Sequence, residues 1–398
     1  MTKLSSCNSV VLCLIVLVLC RFARAQSIQI ANVEELYGAV NNPDNAGATL
    51  ILAPGTYMLS AIDPNGVARP NKGRIQLQRD MSLMGVEGDR DAVVINAINL
   101  PTSSFPTSAN GVATGPNAAV RIGLGHNTIE WLTVRDARNG QANIDTGLQP
   151  VDPADTYIRV AHVASTGSTR GMNILNFGPQ SSGQTIEADI VDGYFFENVL
   201  NQAEGIRMRN FSGAVGSTVN VRISGNLSWG QKQGRLIVDN TASNSRVNVE
   251  SSGNRFFDNG AGTVIAAGLT QGNGSADGNI ITYTAYGDEF LENTQDTEFD
   301  HGGLVVLASD NASPSGGGGN NNTVDVQLYG CRMLGNSTWD LTAIGARTLP
   351  SADPSLNQNN HVTIEMNGMA REVEMENGNP CSPLQTAYPA LPTMVIRS

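Results

Sequence analysis

Lysine is nearly missing from this chain: Lys3, Lys72 and Lys232 are the only three among 398 residues. A lysine base or Schiff base therefore has almost nowhere to sit. Bases are also outnumbered, 24 Lys and Arg against 36 Asp and Glu, for a formal charge of −12. That balance excludes nucleic acid as a partner, because phosphate binding needs a basic stripe. It also disfavours long-range attraction of polyanions unless basic groups gather locally. Aromatics are few, with three tryptophans (Trp131, Trp229, Trp339) to offer as sugar platforms. Apolar stretches at a period of 3.6 are almost absent, which excludes a helical solenoid. No apolar run of membrane length follows Cys20, so no membrane span is expected.

Cysteine is scarce, and three of the five (Cys7, Cys13, Cys20) fall in the first 25 residues. There Lys3 precedes an apolar run from Val10 to Cys20, and Ala23-Arg24-Ala25 forms a small-x-small cleavage site. This reads as a secretory signal peptide, residues 1–25, followed by a secreted, extracellular protein. The apolar core is short for a span, and Leu19 is too large for a lipid-attachment site before Cys20. The segment carries three bases and no acid, so the remainder holds 36 acids against 21 bases, a charge of −15. Cys331 and Cys381 remain. In an oxidising compartment they make a disulfide from body to tail, or else two separate buried thiols. Six Asn-x-Ser/Thr sequons occur, at Asn210, Asn226, Asn273, Asn311, Asn321 and Asn336.

What the chain has in plenty is one recurring phrase. "DGYFFENV", "SGNLSWGQ", "SGNRFFDN", "YGDEFLEN", "YGCRMLGN" and "NGMAREVE" align on Gly193, Gly225, Gly253, Gly287, Gly330 and Gly368. A β-branched, alternating run precedes each, as in "VNVRIS" and "TVDVQLY", and a second run follows the first five, as in "GIRMRN" and "GTVIAAG". Period-2 alternation with β-branched residues marks strands. A unit too small to bury its own apolar face must stack on copies of itself. The expected fold is all-β, a right-handed parallel β-helix. The spacings of 32, 28, 34, 43 and 38 residues drift too much for the even blades of a β-propeller.

Upstream, "VEELYGAV" (Val33 to Val40) reads as a short helix capping the open end of the stack. "ATLILAPGTYML" (Ala48 to Leu59) reads as strand, turn and strand, and Ile98 to Ala118 as a surface loop. The β-helix domain is placed at 26–371, with a Pro-rich tail (372–398) packed on the flank. The stretch "VEELYGAVNNPDNAGATLILAPGTYML", with "NTIEWLTVRDA" and "SGNRFFDNGAGTVIAAG", resembles the pectate lyase-like superfamily of parallel β-helix proteins from about Val33 to Met369. That resemblance implies the fold. The superfamily includes polysaccharide lyases, glycoside hydrolases, tailspikes and adhesins, so it does not choose an activity. The Arg-x-Pro-x-x-Arg signature of pectate lyases is absent. Asp300-His301-Gly302-Gly303 and Ile206-Arg207-Met208 are distant echoes of polygalacturonase motifs, in reversed order.

Three groups could carry chemistry. In "GIRMRN", Ile206 and Met208 face inward at period 2, so Arg207 and Arg209 face outward. Neighbouring coils, about 4.8 Å away, bring Asn173 to one side and Lys232 and Arg235 to the other. Such a cluster could stabilise a uronate and serve a base at C5. A ladder of exposed ion pairs, with Arg209 beside Asp239, is the structural alternative. The second group is "GDEFLENTQDTEFDHGG", with Asp288, Glu289, Glu292, Asp296, Glu298, Asp300 and His301. It could do carboxylate acid and base work or hold Ca2+, and is otherwise a solvated loop. The third is Asp145, Asp152 and Asp155 with Arg159, His162 and Arg170, where a longer loop meets the stack.

The expected function is engagement of polysaccharide along the flank, by a lyase or hydrolase acting on acidic glycans. Arg207, Arg209, Lys232, Arg235, Asp300 and His301 are the catalytic candidates. Asn173 and Trp229 are the substrate-binding candidates, Trp229 because it lies close to Lys232. The rival is a non-catalytic surface protein that binds glycans. A monomer is expected.

Overall fold

The computed structural model describes residues 26–101, 118–137, 142–146, 156–198, 204–211, 213–231, 236–260, 263–268, 276–293, 302–311, 319–336, 339–348, 358–370 and 373–376, with short pieces at 388–389 and 394–397. The chain winds as a parallel β-helix with three strands to a coil. The first sheet begins at Ser27–Ile30 and includes Thr156–Ala161, Thr185–Val191, Thr218–Ser224, Arg246–Ser252, Ile280–Tyr286 and Thr323–Leu334. The second includes Thr133–Arg135, Ala164–Thr166, Tyr194–Phe196, Leu227–Trp229, Arg255–Phe257 and Glu289–Leu291. The third includes Ile75–Gln76, Ala118–Arg121, Ala142–Asp145, Arg170–Phe177, Glu204–Phe211 and Leu236–Asn240.

Inside the coils, like stacks on like. Ile158, Ala188, Val221, Val249, Tyr283 and Val326 stand in register down the first sheet, all buried. Phe256 and Phe290 stack at 5.5 Å beneath the second. Alternation works here because one face of every strand must meet the shared core.

The glycine phrase marks the two-residue turn between the first and second sheets. Its first residue is left-handed in every coil from Trp131 (φ 57) and His162 (φ 55) through Asp192 (φ 50), Gly225 (φ 65), Gly253 (φ 60) and Gly287 (φ 65) to Gly330 (φ 66). The alignment on Gly193 is therefore one residue out. Asp192 takes the left-handed place, which short polar residues tolerate, and Gly193 takes the place that follows. Gly368 departs differently. One residue replaces two, and the register shifts between Tyr329 and Arg332.

The second turn position carries hydrogen bonds from coil to coil. Asn226 donates from both its backbone and side-chain nitrogens to Asn254 Oδ1 at 2.9 Å, and Asn254 N donates to Asp288 Oδ1 at 2.8 Å. The next corner repeats the device with Asn259, Asn293, Asn336 and Asp340. A third ladder runs through Ser245, Asn279, Asn322 and Asn360. The buried backbone amides of Asn226, Asn254, Ser245, Asn279 and Asn322 thus find side-chain acceptors, as burial requires. Sequons Asn210, Asn226 and Asn336 are buried ladder members, so a glycan cannot project from them in the folded chain. Asn321 is exposed at a left-handed turn.

The expected capping helix spans Val33–Asn41 and buries Leu36, Tyr37, Ala39 and Val40. Asn32 caps it, accepting from the amides of Glu34 and Glu35 at 3.0 Å, while Glu35 accepts from Ala31 N at 2.7 Å. This is a reciprocal cap. The expected strand pair appears as Thr49–Leu52 and Gly55–Ser60, and the strand Val93–Asn99 runs one residue past Ile98, where the loop was expected to begin. The tail contributes Tyr388–Pro389 and Met394–Arg397, which pair antiparallel with His361–Ala370. Cys331 is a buried thiol at the ladder position below Asp288, and burial pushes it up to about 11. Its expected partner Cys381 lies outside the described residues. Among the described residues, no helix is long and apolar enough to cross a membrane.

Candidate functional site

Among the described residues, the third sheet carries Arg121, Arg170, Arg207 and Arg209 on neighbouring coils. Its inward residues Val120, Ile144, Met172, Ile206 and Met208 fill the core, so by alternation their neighbours face outward. In register, Arg121, Asp145, Asn173 and Arg207 form one outward column. Arg170 lies beside Glu204, and Leu175 beside Arg209. Arg74 precedes the sheet's first strand. The outward direction of Arg207 and Arg209 and the approach of Asn173 are as the alternation predicts. The register also sets Arg209 beside Asp239, as the ion-pair alternative expects, but the arginines are not exposed: Arg207 is 3 % exposed and Arg209 7 %.

Two carboxylates organise this face. Asp145 accepts a forked pair from Arg121, Nε to Oδ1 and Nη2 to Oδ2, both at 3.0 Å. Glu204 bridges two arginines, Arg207 through Nη1 at 2.7 Å and Arg170 through Nε at 2.9 Å. Arg209 lies 4.0 Å above the ring of Phe211. Burial pushes the Arg74 guanidinium down to about 10, with Arg121 adding to the shift and Asp145 opposing it. Burial also pushes the Asp145 carboxyl up, against the pull of Arg121 and Arg74. Between Asp145 and Arg207 sits Asn173, 3 % exposed, whose Oδ1 has no hydrogen-bond partner. A buried acceptor without a donor is costly, and a ligand hydroxyl would satisfy it.

The remaining candidates scatter. Lys232, Arg235, Asp300 and His301 lie outside the described residues, as do Asp152, Asp155, Asp296 and Glu298. Trp229 is not beside Arg207. It is on the second sheet, stacked between Phe196 at 4.7 Å and Phe257 at 5.8 Å. The third sequence group is divided among faces. Asp145 and Arg170 are on the third sheet, Arg159 pairs with Glu130 at 2.7 Å on the first, and His162 stacks on Trp131 at a turn. The acidic stretch divides too: Asp288 is in a buried ladder, and Glu289 pairs with Arg332 at 2.7 Å. Adjacent residues on a coil point to different faces, so neighbours in sequence do not converge. Among the described residues no group of three or more His, Cys, Asp or Glu side chains is placed to hold a metal ion.

Reading single coils missed Arg74, Arg121 and Glu204. Arg74 and Arg121 each stand beside a buried aliphatic residue, Ile75 and Val120, whereas Glu204 is followed by Gly205 and carries no such signal. Their gathering is legible only once the coils are stacked.

No family model and no curated protein matches the chain. Among solved structures it is similar to pectate lyase Pel9A, with 15% identity over 80% of this chain and 72% of that one and a TM-score of 0.34. It is also similar to the A-module of the Azotobacter vinelandii mannuronan C-5 epimerase AlgE6, with 15% identity over 88% and 90% and a TM-score of 0.34. A third similar structure is PfbA, a surface adhesin of Streptococcus pneumoniae, with 10% identity over 89% and 90% and a TM-score of 0.31.

Proposed function

We propose that the protein is exported and engages acidic polysaccharide through the outer face of its third sheet. One observation carries this reading. Arg74, Arg121, Arg170, Arg207 and Arg209 gather on neighbouring coils against three acidic residues, Asp145, Glu204 and, in register with Arg209, Asp239, in a chain whose overall charge is −12. An acidic protein gains nothing from its net field when it meets a polyanion. A local excess of cations held in low dielectric reverses that. Guanidinium forks match carboxylate geometry, so a uronate is the sugar this face suits. Asn173 Oδ1 would accept from a ring hydroxyl beside it.

The test is binding and turnover in one experiment. Purified full-length protein is titrated with polygalacturonate and alginate, with and without calcium, while unsaturated product and reducing ends are followed. Binding that weakens in the Arg207→Gln variant, with a cooperative melting curve to establish that it is folded, supports the reading. An unchanged isotherm removes this face. Unsaturated product would mean β-elimination served by the fixed cations, and reducing ends alone would mean hydrolysis. Binding without either product is the non-catalytic form of the same function.

A further inference from the structure

The first sheet presents a second polar face, and it is open. A cavity of about 630 Å³ lies along its outer side. Glu187, Asn220 and Asn248 stand in register in one column, and Asp189, Arg222 and Glu250 in the next. Side chains within each column are hydrogen-bonded from coil to coil. Asn248 donates to Asn220 Oδ1 at 2.7 Å, and Asn220 donates to Glu187 Oε1 at 2.6 Å. Arg222 forks onto Asp189 at 2.7 and 3.0 Å. At one end Tyr286, 47% exposed, stacks on Tyr329 with ring centroids 5.3 Å apart.

We propose that this face is a second glycan site, and that it takes a neutral polysaccharide lying along the stack. Three features point there. Amides and carboxylates on successive coils offer donors and acceptors at a spacing of about 4.8 Å, which suits a repeating, hydroxyl-rich chain. An exposed tyrosine beside polar groups is a platform for the apolar face of a sugar ring. The charges decide the class. Glu187, Asp189 and Glu250 outnumber Arg222, and Asp189 already occupies its guanidinium. A uronate would meet unmatched carboxylates here, whereas a neutral sugar meets only hydrogen-bonding partners.

Affinity electrophoresis of the full chain tests this, in gels containing hydroxyethylcellulose, galactomannan or polygalacturonate. We expect retardation in at least one neutral gel and a loss of about tenfold in that affinity for Tyr286→Ala, with its melting temperature measured to establish folding. Glu250→Arg should make polygalacturonate bind more tightly than it does to the parent. Absence of retardation in both neutral gels, or a Tyr286→Ala protein that migrates like the parent there, overturns the proposal. Polygalacturonate retardation of the parent reports on the arginine face alone, so the two readings fail separately.

Discussion

The carboxylate of Asp288 accepts both the backbone and the side-chain N–H of Asn254, at 2.8 and 3.2 Å, from the coil before it. Ser251 donates its hydroxyl to the other oxygen. An asparagine ladder thus ends on a buried acid, and that acid titrates in an accessible range. Burial pushes Asp288 up to about 6, against the hydrogen bonds from Ser251, Asn254 and Tyr283. A raised carboxyl favours the protonated folded state. Its contribution is greatest below the ordinary value of 3.8 and is lost as pH rises through about 6. At about 1.4 kcal/mol per pH unit, the loss is about 3 kcal/mol. Asp288→Asn should abolish this component and raise stability at pH 7, because the new amide can donate to Ser251 O as Asn254 does to Ile223 O. Denaturant midpoints of both proteins from pH 4 to 7.5 check it.

Removing a rung should cost more than removing a surface hydrogen bond. Asn254→Ala leaves the buried Asn226 backbone amide without its acceptor and removes the side-chain bond to the Ile223 carbonyl. A loss of about 2–3 kcal/mol is expected, read from urea denaturation. Asn248→Ala, on the open face, should cost well under half of that.

Glu204 is the hinge of the arginine face, since it bridges Arg170 and Arg207 at 2.9 and 2.7 Å. Glu204→Gln takes one carboxylate from buried Arg207 and half-buried Arg170, and a loss of about 3 kcal/mol is expected. Adding Arg207→Met should recover a substantial part of it. If the double variant were no more stable than the single one, the pair would not be coupled as the geometry states.

The left-handed turn can be tested without steric confusion at Gly253. Its φ is +60, and a Cβ there would meet nothing within 4 Å. The cost of substitution is then that of the backbone alone. Gly253→Asn should be nearly neutral, as Asp192 is in the same place, whereas Gly253→Val should lose about 1–2 kcal/mol. Thermal melts of the two variants separate these outcomes.

The repeat was legible because its cause is local. Alternating β-branched residues force strands, and a left-handed turn admits Gly, Asn or Asp, so "SGN" recurs wherever the chain turns. An alignment on Gly193 slips by one residue because Asp192 holds the left-handed backbone that glycine holds in later coils. The outward direction of Arg207 and Arg209 was legible for the same local reason. Their burial was not, because it depends on what lies above the sheet.

By itself the sequence determined the class of fold, the capping helix, the strand periodicity and the outward face of each strand, all of which follow from single-residue geometry at period 2 or in a tight turn. Only the tertiary structure decided which outward residues meet. Arg121 reaches Asp145 across 24 residues and Arg170 reaches Glu204 across 34, while residues a few places apart on one coil face different ways. Coil length varies with each loop, so the register that sets those partners exists only once the coils are stacked.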